Sequence, residues 1–415
     1  MLQEFLQRFK EKESVINQWL EEKRKLVGPE PLYASVDLRN AGFKIVPVDT
    51  NLFPAGWNNL CPNYGRQAAE YFKNYFDTYF PGTKCLLIIP ENHTRNLYYF
   101  SSLKRLKDIL AASGFEVKIG TLNPELTESE NKFLTQENEE IVLQKITREG
   151  DNLFVGDKRI CQVVINNDFS VGIPEILHGV KENLLPSPEI GWHQRKKSDH
   201  FAFYHQLIQE FAEVIGIDSW FFESHYSVVD DVDFDDEASR EKAAQAVDAL
   251  IQKIAVDYEK HKIQGYPSVF IKNNAGTYGM AVIRVNSGDD VRKLNQQNRK
   301  QMRVGKGSVD IKSVILQEGV VTVERIKDLV AEPVIYLVGN KSVGGFYRLN
   351  DEKGDNDNLN SKGMQFAKSC FHENIGYENL ADPTLKQDDL TPIYKVIAAI
   401  ASLASGYELK ALKQK

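Results

Sequence analysis

With 415 residues the chain is long enough for two or three domains with their own cores. Its 42% hydrophobic and 26% charged residues are those of an ordinary globular protein, and no run approaches the ~20 apolar residues of a membrane span. A net charge of −7 argues against nucleic acid or an anionic membrane as main partner. Small anionic substrates must then meet local basic clusters, and nothing in this balance excludes a homo-oligomer.

The four cysteines (Cys61, Cys85, Cys161, Cys370) are widely spaced without a CxxC pair, which suits a reducing cytoplasm better than a disulfide framework. The eight histidines lack HxxxH or HExxH spacing, so no zinc site is expected.

At the N-terminus, Leu2, Phe5, Leu6, Phe9, Val15, Ile16, Trp19 and Leu20 recur at helical spacing among glutamates. This is an amphipathic helix packed on the body rather than a targeting signal. Strands are expected at Leu32–Asp37 and Phe43–Val48, followed by a polar loop from Asp49 to Asn59. Strand Cys85–Ile89 lies between helices at about Tyr64–Phe80 and Leu97–Ala112, and strand Phe115–Ile119 follows. Such strand–helix alternation with polar strand ends reads as a parallel α/β layer. Hairpin-like runs cover Ile141 to Ile165, and Pro174, Pro186 and Pro188 mark a candidate domain boundary.

The cluster Arg195-Lys196-Lys197 precedes a helix at about Asp199–Ile215. The acidic run Asp230 to Glu241 lacks EF-hand spacing and reads as the lead-in to a helix from Glu237 to about Lys260. Beyond it a helix is expected over Ser287–Met302, a strand over Ser313–Gln317 and a hairpin over Pro333–Val338 and Val343–Leu349. A helix from about Pro392 to Leu412 ends the pattern.

Between these elements lies the most informative stretch, Phe270 to Val285. A short strand ends in Lys272; a small-residue loop with Gly276, Tyr278 and Gly279 follows; a second β-rich run returns. Glycines let backbone N–H groups approach a ligand, and such arrays beside a lysine bind phosphate. Because a strand rather than a helix follows, this is neither a Walker loop nor a dinucleotide fingerprint. It reads as a flap between antiparallel strands, or as a plain hairpin with a surface lysine.

Downstream, strand end Gln317-Glu318-Gly319-Val320 offers backbone groups to an adenine edge, and a hairpin ends in Arg348 and Asn350 before a loop with Asn358 and Asn360. That order resembles the ATP-grasp ligases, in which two sheet-bearing subdomains grip ATP under a flexible Gly-rich loop. The segments Tyr33-Ala-Ser-Val-Asp-Leu-Arg-Asn-Ala-Gly-Phe-Lys44, Val48-Asp-Thr-Asn-Leu-Phe-Pro-Ala-Gly-Trp-Asn-Asn-Leu60 and Gly344-Gly-Phe-Tyr-Arg-Leu-Asn350 are similar to hallmark segments of a bacterial glutamate–cysteine ligase family. The resemblance implies a mixed α/β (α+β) chain. Its residues 1–185 form a substrate domain, and residues 186–415 form an ATP-grasp domain with the flap at 272–280.

It also implies a cytoplasmic enzyme that uses ATP and Mg²⁺ to join the γ-carboxylate of L-glutamate to L-cysteine through a γ-glutamyl phosphate, the first step of glutathione synthesis. Lys196 or Lys197, with Lys272, hold phosphates; Gln317, Glu318 and Val320 form the adenine hinge; Arg348 stabilises the transferring group. Asp49, Asn51, Glu332, Asn350, Asn358 and Asn360 are the candidate metal ligands. Arg39, Asn51 and Arg66 are the candidate substrate contacts.

Two departures matter. No clean Glu-x-Asn follows Arg348, whereas Asp49-Thr50-Asn51 resembles the Glu-x-Asn of eukaryotic-type glutathione synthetases, whose ATP-grasp order is circularly permuted. Asp49 and Asn51 also suit a structural Asx-turn. Other readings left open are a glutathione-synthetase-like ligase and a nucleotide-binding regulator.

Overall fold

The computed structural model describes residues 1–276, 281–303, 311–369 and 375–414. Alternation along the strand Tyr33–Asn40 decides how its central sheet is used. Ala34, Val36 and Leu38 are fully buried and join Ile335 and Leu337 against the C-terminal helix Thr391–Leu412. That helix is apolar nearly all round, and such a helix belongs inside a protein. Tyr33, Ser35, Asp37 and Arg39 take the opposite face, as a period of two requires.

The central sheet runs in the order Met364–Lys368, Lys341–Asn350, Leu329–Val338, Tyr33–Asn40, Ile45–Asn51, each pair antiparallel. Strands from both sides of the expected boundary at 186 thus share one sheet, so sheet membership does not follow that division. The helix Pro62–Tyr79 covers part of the face that carries Tyr33 and Tyr336 through Tyr64 and Phe72. The rest of that face stays open as the floor of the site.

In a second sheet Cys85–Pro90 pairs in parallel with Glu116–Thr121 and Gln162–Asn166, with helix Leu97–Ala112 as crossover. This is the parallel α/β layer expected from sequence. The expectation of unpaired cysteines is overturned here: Cys85 and Cys161 form a disulfide with Cα atoms 5.4 Å apart. Parallel pairing sets Leu86 opposite Gln162, which draws together two cysteines 76 residues apart that no local spacing connects.

A third, four-stranded antiparallel sheet has the order Tyr226–Asp230, Ser313–Glu318, Val269–Asn273, Val282–Val285. Helix Glu237–Lys260 packs on it through Ala243, Val247 and Ile254. Asp236 caps that helix, its carboxylate accepting from the Ser239 amide at 2.7 Å, so the acidic run is a helix lead-in. The single helix expected over Ser287–Met302 is instead two, Gly288–Arg292 and Gln296–Gln301. Asn295 caps the second through the Asn298 amide at 2.8 Å, and such a cap starts a new helix inside the run. The N-terminal helix likewise divides at Lys12 into Leu2–Glu11 and Glu13–Val27. Among the described residues no helix is long and apolar enough to cross a membrane.

Candidate functional site

Strand register builds the site. On the open face of the central sheet Asp37 stands opposite Asp49 and Val334, and Ser35 opposite Asn51 and Tyr336. Glu332 stands opposite Arg348, Arg348 opposite Phe366, and Phe346 opposite Val334 and Lys368. Side chains on paired positions share a face, so charge from four strands collects in one place.

Arg348 grips Asp37 with two nitrogens, at 2.7 and 3.2 Å, and reaches Glu332 at 2.7 Å. The other Glu332 oxygen takes Arg39 Nε at 2.6 Å. Arg39 spends its remaining nitrogens on the Asp355 and Asp357 carbonyls, at 2.9 and 2.6 Å, which fixes the loop before Asn358 and Asn360. Burial alone would weaken the Arg348 charge, but Asp37 and Glu332 raise its pKa. Burial would also raise Glu332, yet Arg39 and Arg348 hold it below the usual carboxylate range. Asp37 lies above that range, because burial outweighs Arg348 and Glu332 repels it.

Facing this floor is the third sheet. Lys272 donates to Gln317 Oε1 at 2.7 Å and, across the gap, to the Val48 carbonyl at 3.2 Å. Burial lowers its amine to about 8 against the pull of Asp49, and Lys197 adds to the lowering. Asp49 would rise on burial, but Lys197, then Lys272 and Arg195, hold it at about 2. Lys197 Nζ lies 2.5 Å from Asp49 Oδ1 and 4.6 Å from the Trp192 ring, whose face also carries Arg195 at 4.7 Å. Arg195 is buried, bonded to Glu408 at 3.0 Å and to the Thr50 carbonyl at 2.8 Å, and so fixes the strand that carries Asp49.

Two cavities meet at Asp37, Asp49, Arg348 and Asn360. The smaller, about 70 Å³, lies between the sheets and is lined by Arg39, Lys197, Lys272, Gly276 and Glu332 among others. The larger, about 790 Å³, extends over the open face toward Trp192, Glu137 and Lys368.

The expected residues distribute unevenly between these places. Lys197 reaches the smaller cavity, whereas Lys196 is exposed ahead of the helix Lys197–Ile215. Arg66 is exposed, bonded to Asn63, and lines neither cavity. Arg39 lines the smaller cavity with its nitrogens already paired. Tyr278 and Gly279 lie outside the described residues. Gly276 lines the smaller cavity without a left-handed backbone; among the described residues of this loop the one at positive φ is Ala281, at +50°.

At the expected adenine hinge the Glu318 carboxylate accepts from Lys44, at 3.0 Å to each oxygen, and from the His225 amide. The Glu318 and Gly319 amides donate to the His225 and Ser268 carbonyls at 2.8 and 2.7 Å. Gln317 is committed to Lys272 and Ser224.

Several expected metal ligands are engaged in turns. Asn51 Oδ1 accepts from the Phe53 amide at 2.9 Å, and Asn358 Oδ1 from the Asn360 amide at 3.0 Å. Asn350 holds the Leu359 and Lys362 carbonyls at 3.3 and 3.1 Å. Among the described residues no group of three or more His, Cys, Asp or Glu side chains is arranged to hold a metal ion. Sequence reasoning missed Asp37 and Trp192. The signal for Asp37 was strand alternation, since it stands two residues before Arg39 on the same face; Trp192 carried none.

The sequence model of the glutamate–cysteine ligase family matches residues 7–409. A crystal structure of a candidate γ-glutamylcysteine synthetase from Methylobacillus flagellatus KT is 37% identical, with TM-score 0.89 over 99% of this chain and 96% of that one. D-alanyl-alanine synthetase A from Vibrio cholerae is more distant, at 11% identity and TM-score 0.38 over 75% of this chain and 78% of that one. A glutathione synthetase-like effector from Globodera pallida, at 8% identity, has TM-score 0.33 over 88% of this chain and 79% of that one. No curated protein matches in sequence.

Proposed function

The chain belongs to the glutamate–cysteine ligase family and is an ATP-dependent ligase of glutamate and cysteine; from that premise we propose that its two cavities divide the reaction. ATP occupies the smaller, charged cleft under the hairpin that carries Gly276, and the amino acids occupy the larger chamber. The observation that carries this reading is their common wall: Asp37, Asp49 and Arg348 face both spaces, so a phosphoryl group can pass there from one to the other.

At that wall a γ-carboxylate oxygen of glutamate attacks the γ-phosphorus of ATP, the bond to ADP breaks and the γ-glutamyl phosphate forms. The neutral amine of cysteine then attacks the carbonyl carbon. Phosphate leaves, and the nitrogen gives up a proton. Phosphoryl transfer depends on charge placement more than on covalent help. Arg348, whose Nε is buried with no partner among the described residues, is the group for the transferring phosphoryl. Lys272 and Lys197 take the ATP phosphates, releasing Gln317 and Asp49. The Glu318 carbonyl and the Val320 amide serve the adenine edge, because the Glu318 and Gly319 amides are already spent.

Mg²⁺ accompanies ATP in this reading and supplies neutralisation of phosphate charge. Asp37 and Glu332 are bound to Arg348 and Arg39, so the residues that would hold the ion are Asp49 with the oxygens of Asn358 and Asn360, and phosphate and water oxygens would complete its shell. A cleft of about 70 Å³ is smaller than a nucleotide needs, so the four-stranded sheet swings back to admit ATP. Two sheets closing on ATP fit an ATP-grasp arrangement. Its permuted form is supported by the metal-type carboxylate Asp49 near the N-terminus sharing a sheet with Arg348. The cytoplasm, where ATP is at hand, is the proposed location.

The test is ADP release with Mg-ATP and glutamate, cysteine or both, with the product weighed by mass spectrometry. Turnover that requires both amino acids and yields the γ-glutamylcysteine mass is expected. ADP release that ignores glutamate overturns the division of roles.

A further inference from the structure

The floor of the chamber changes character along the sheet. Near Asp37, Asp49 and Arg348 it is charged; beyond them Val334, Phe346 and Phe366 make it apolar, and Lys368 stands at its edge. Phe346 meets Phe366 edge-on at 5.2 Å. Phe366 is 40% exposed and Met364 44%, so this strand turns large apolar side chains toward open space. Exposed apolar surface beside polar groups marks a place where something binds.

Among the described residues, the arginine and lysine side chains that line the chamber are Arg348 and Lys368. Arg348 is committed to Asp37 and Glu332. Lys368 is exposed and acts on Glu137 across the chamber, and is left as the cation for an incoming carboxylate. It pairs with Phe346, which lies two residues, or about 7 Å, along the strand from Arg348. An α-amino acid held by its carboxylate at Lys368 therefore extends its amine toward the wall where the acyl phosphate forms.

We propose that Lys368 with Phe346 and Phe366 forms the acceptor subsite: Lys368 pairs with the α-carboxylate of cysteine, and the two rings receive its thiol. The proposal rests on the acyl phosphate mechanism above. Sulfur makes favourable contacts with aromatic edges. A hydroxyl in the same place finds little to bond, because Val334, Phe346 and Phe366 carry no polar atoms and the Tyr336 hydroxyl spends its proton on the Ala55 carbonyl, which leaves that oxygen as an acceptor alone. The wall thus favours cysteine over serine.

Hydroxylamine separates the two layers of the argument, since it traps an acyl phosphate as the hydroxamate without a carboxylate or a thiol. In Lys368→Met, γ-glutamyl hydroxamate formation is expected at the wild-type rate, while KM for cysteine rises at least about tenfold, the scale of a lost charge-assisted hydrogen bond. KM for cysteamine, which has no carboxylate, stays put. Phe366→Ala narrows the cysteine-over-serine ratio of kcat/KM by about tenfold with glutamate KM unchanged. No hydroxamate from the wild-type enzyme refutes the acyl phosphate reading. Hydroxamate formation together with an unmoved cysteine KM in Lys368→Met overturns the acceptor subsite alone.

Discussion

The two cavities share a wall and little else. In the smaller, charges come in committed pairs: Arg348 with Asp37 and Glu332, Lys197 with Asp49, Arg39 with Glu332. In the larger, Lys368 faces Glu137 across open space, and much of the floor is aromatic or aliphatic. A polyanion can enter the first only by exchanging existing ion pairs, which favours a ligand that replaces every lost contact. The second selects by shape, with a few polar groups to set orientation. On the proposed division, affinity for nucleotide and choice of amino acid reside in different chemistry on one sheet.

That contrast is most easily broken at the wall. Arg348→Ala should reduce kcat at least ~100-fold, the scale of one lost transition-state contact. Steady-state kinetics beside a circular dichroism spectrum check it, and a loss below about tenfold removes Arg348 from the reaction. Gly276→Val has a smaller expected effect. A Cβ there meets the Asn273 side-chain nitrogen at 2.6 Å, so that side chain, which accepts from the Ala275 amide, must move. KM for ATP should rise by about tenfold while KM for cysteine holds; movement in both at once denies the separation.

The mildest change is with pH. Burial sets the Lys272 amine at about 8, below its usual value, so the free enzyme loses this charge as pH rises through that point. ATP affinity should weaken progressively on the alkaline side, measured as Kd by calorimetry. Lys272→Arg, which keeps its charge, should flatten the profile. An equally steep profile in that variant assigns the effect to another group.

Much of the secondary structure was legible because it obeys simple periods. Leu97–Ala112 and Glu237–Lys260 follow the helical spacing of their apolar residues, and the hairpin before Arg348 follows its turn residues. What stayed hidden depends on strand order. Asp37 matters because Leu329–Val338 lies beside it, and Cys85 finds Cys161 because two distant strands run in parallel. Arg39 and Arg66 looked equivalent as carboxylate forks; one sits on a floor strand and the other on the outer side of a helix. Asn51 and Asn358 offered oxygens in the sequence, and local turns take up one of them in each case. Whether Lys196 or Lys197 points inward was decided by where a helix begins, a boundary that periodicity resolves poorly.

The central sheet also has a bearing on the timing of biosynthesis. Tyr33–Asn40 is translated well ahead of one of its two neighbours, Leu329–Val338, and the helix that covers its apolar face is made later still. Until then the strand has only its hairpin partner Ile45–Asn51. Asp37 is therefore translated long before Arg348 exists to hold it in place. A growing chain that has not yet reached Arg348 lacks the wall between the two cavities. That wall can assemble only after Lys341–Asn350 has been made and has paired with Leu329–Val338.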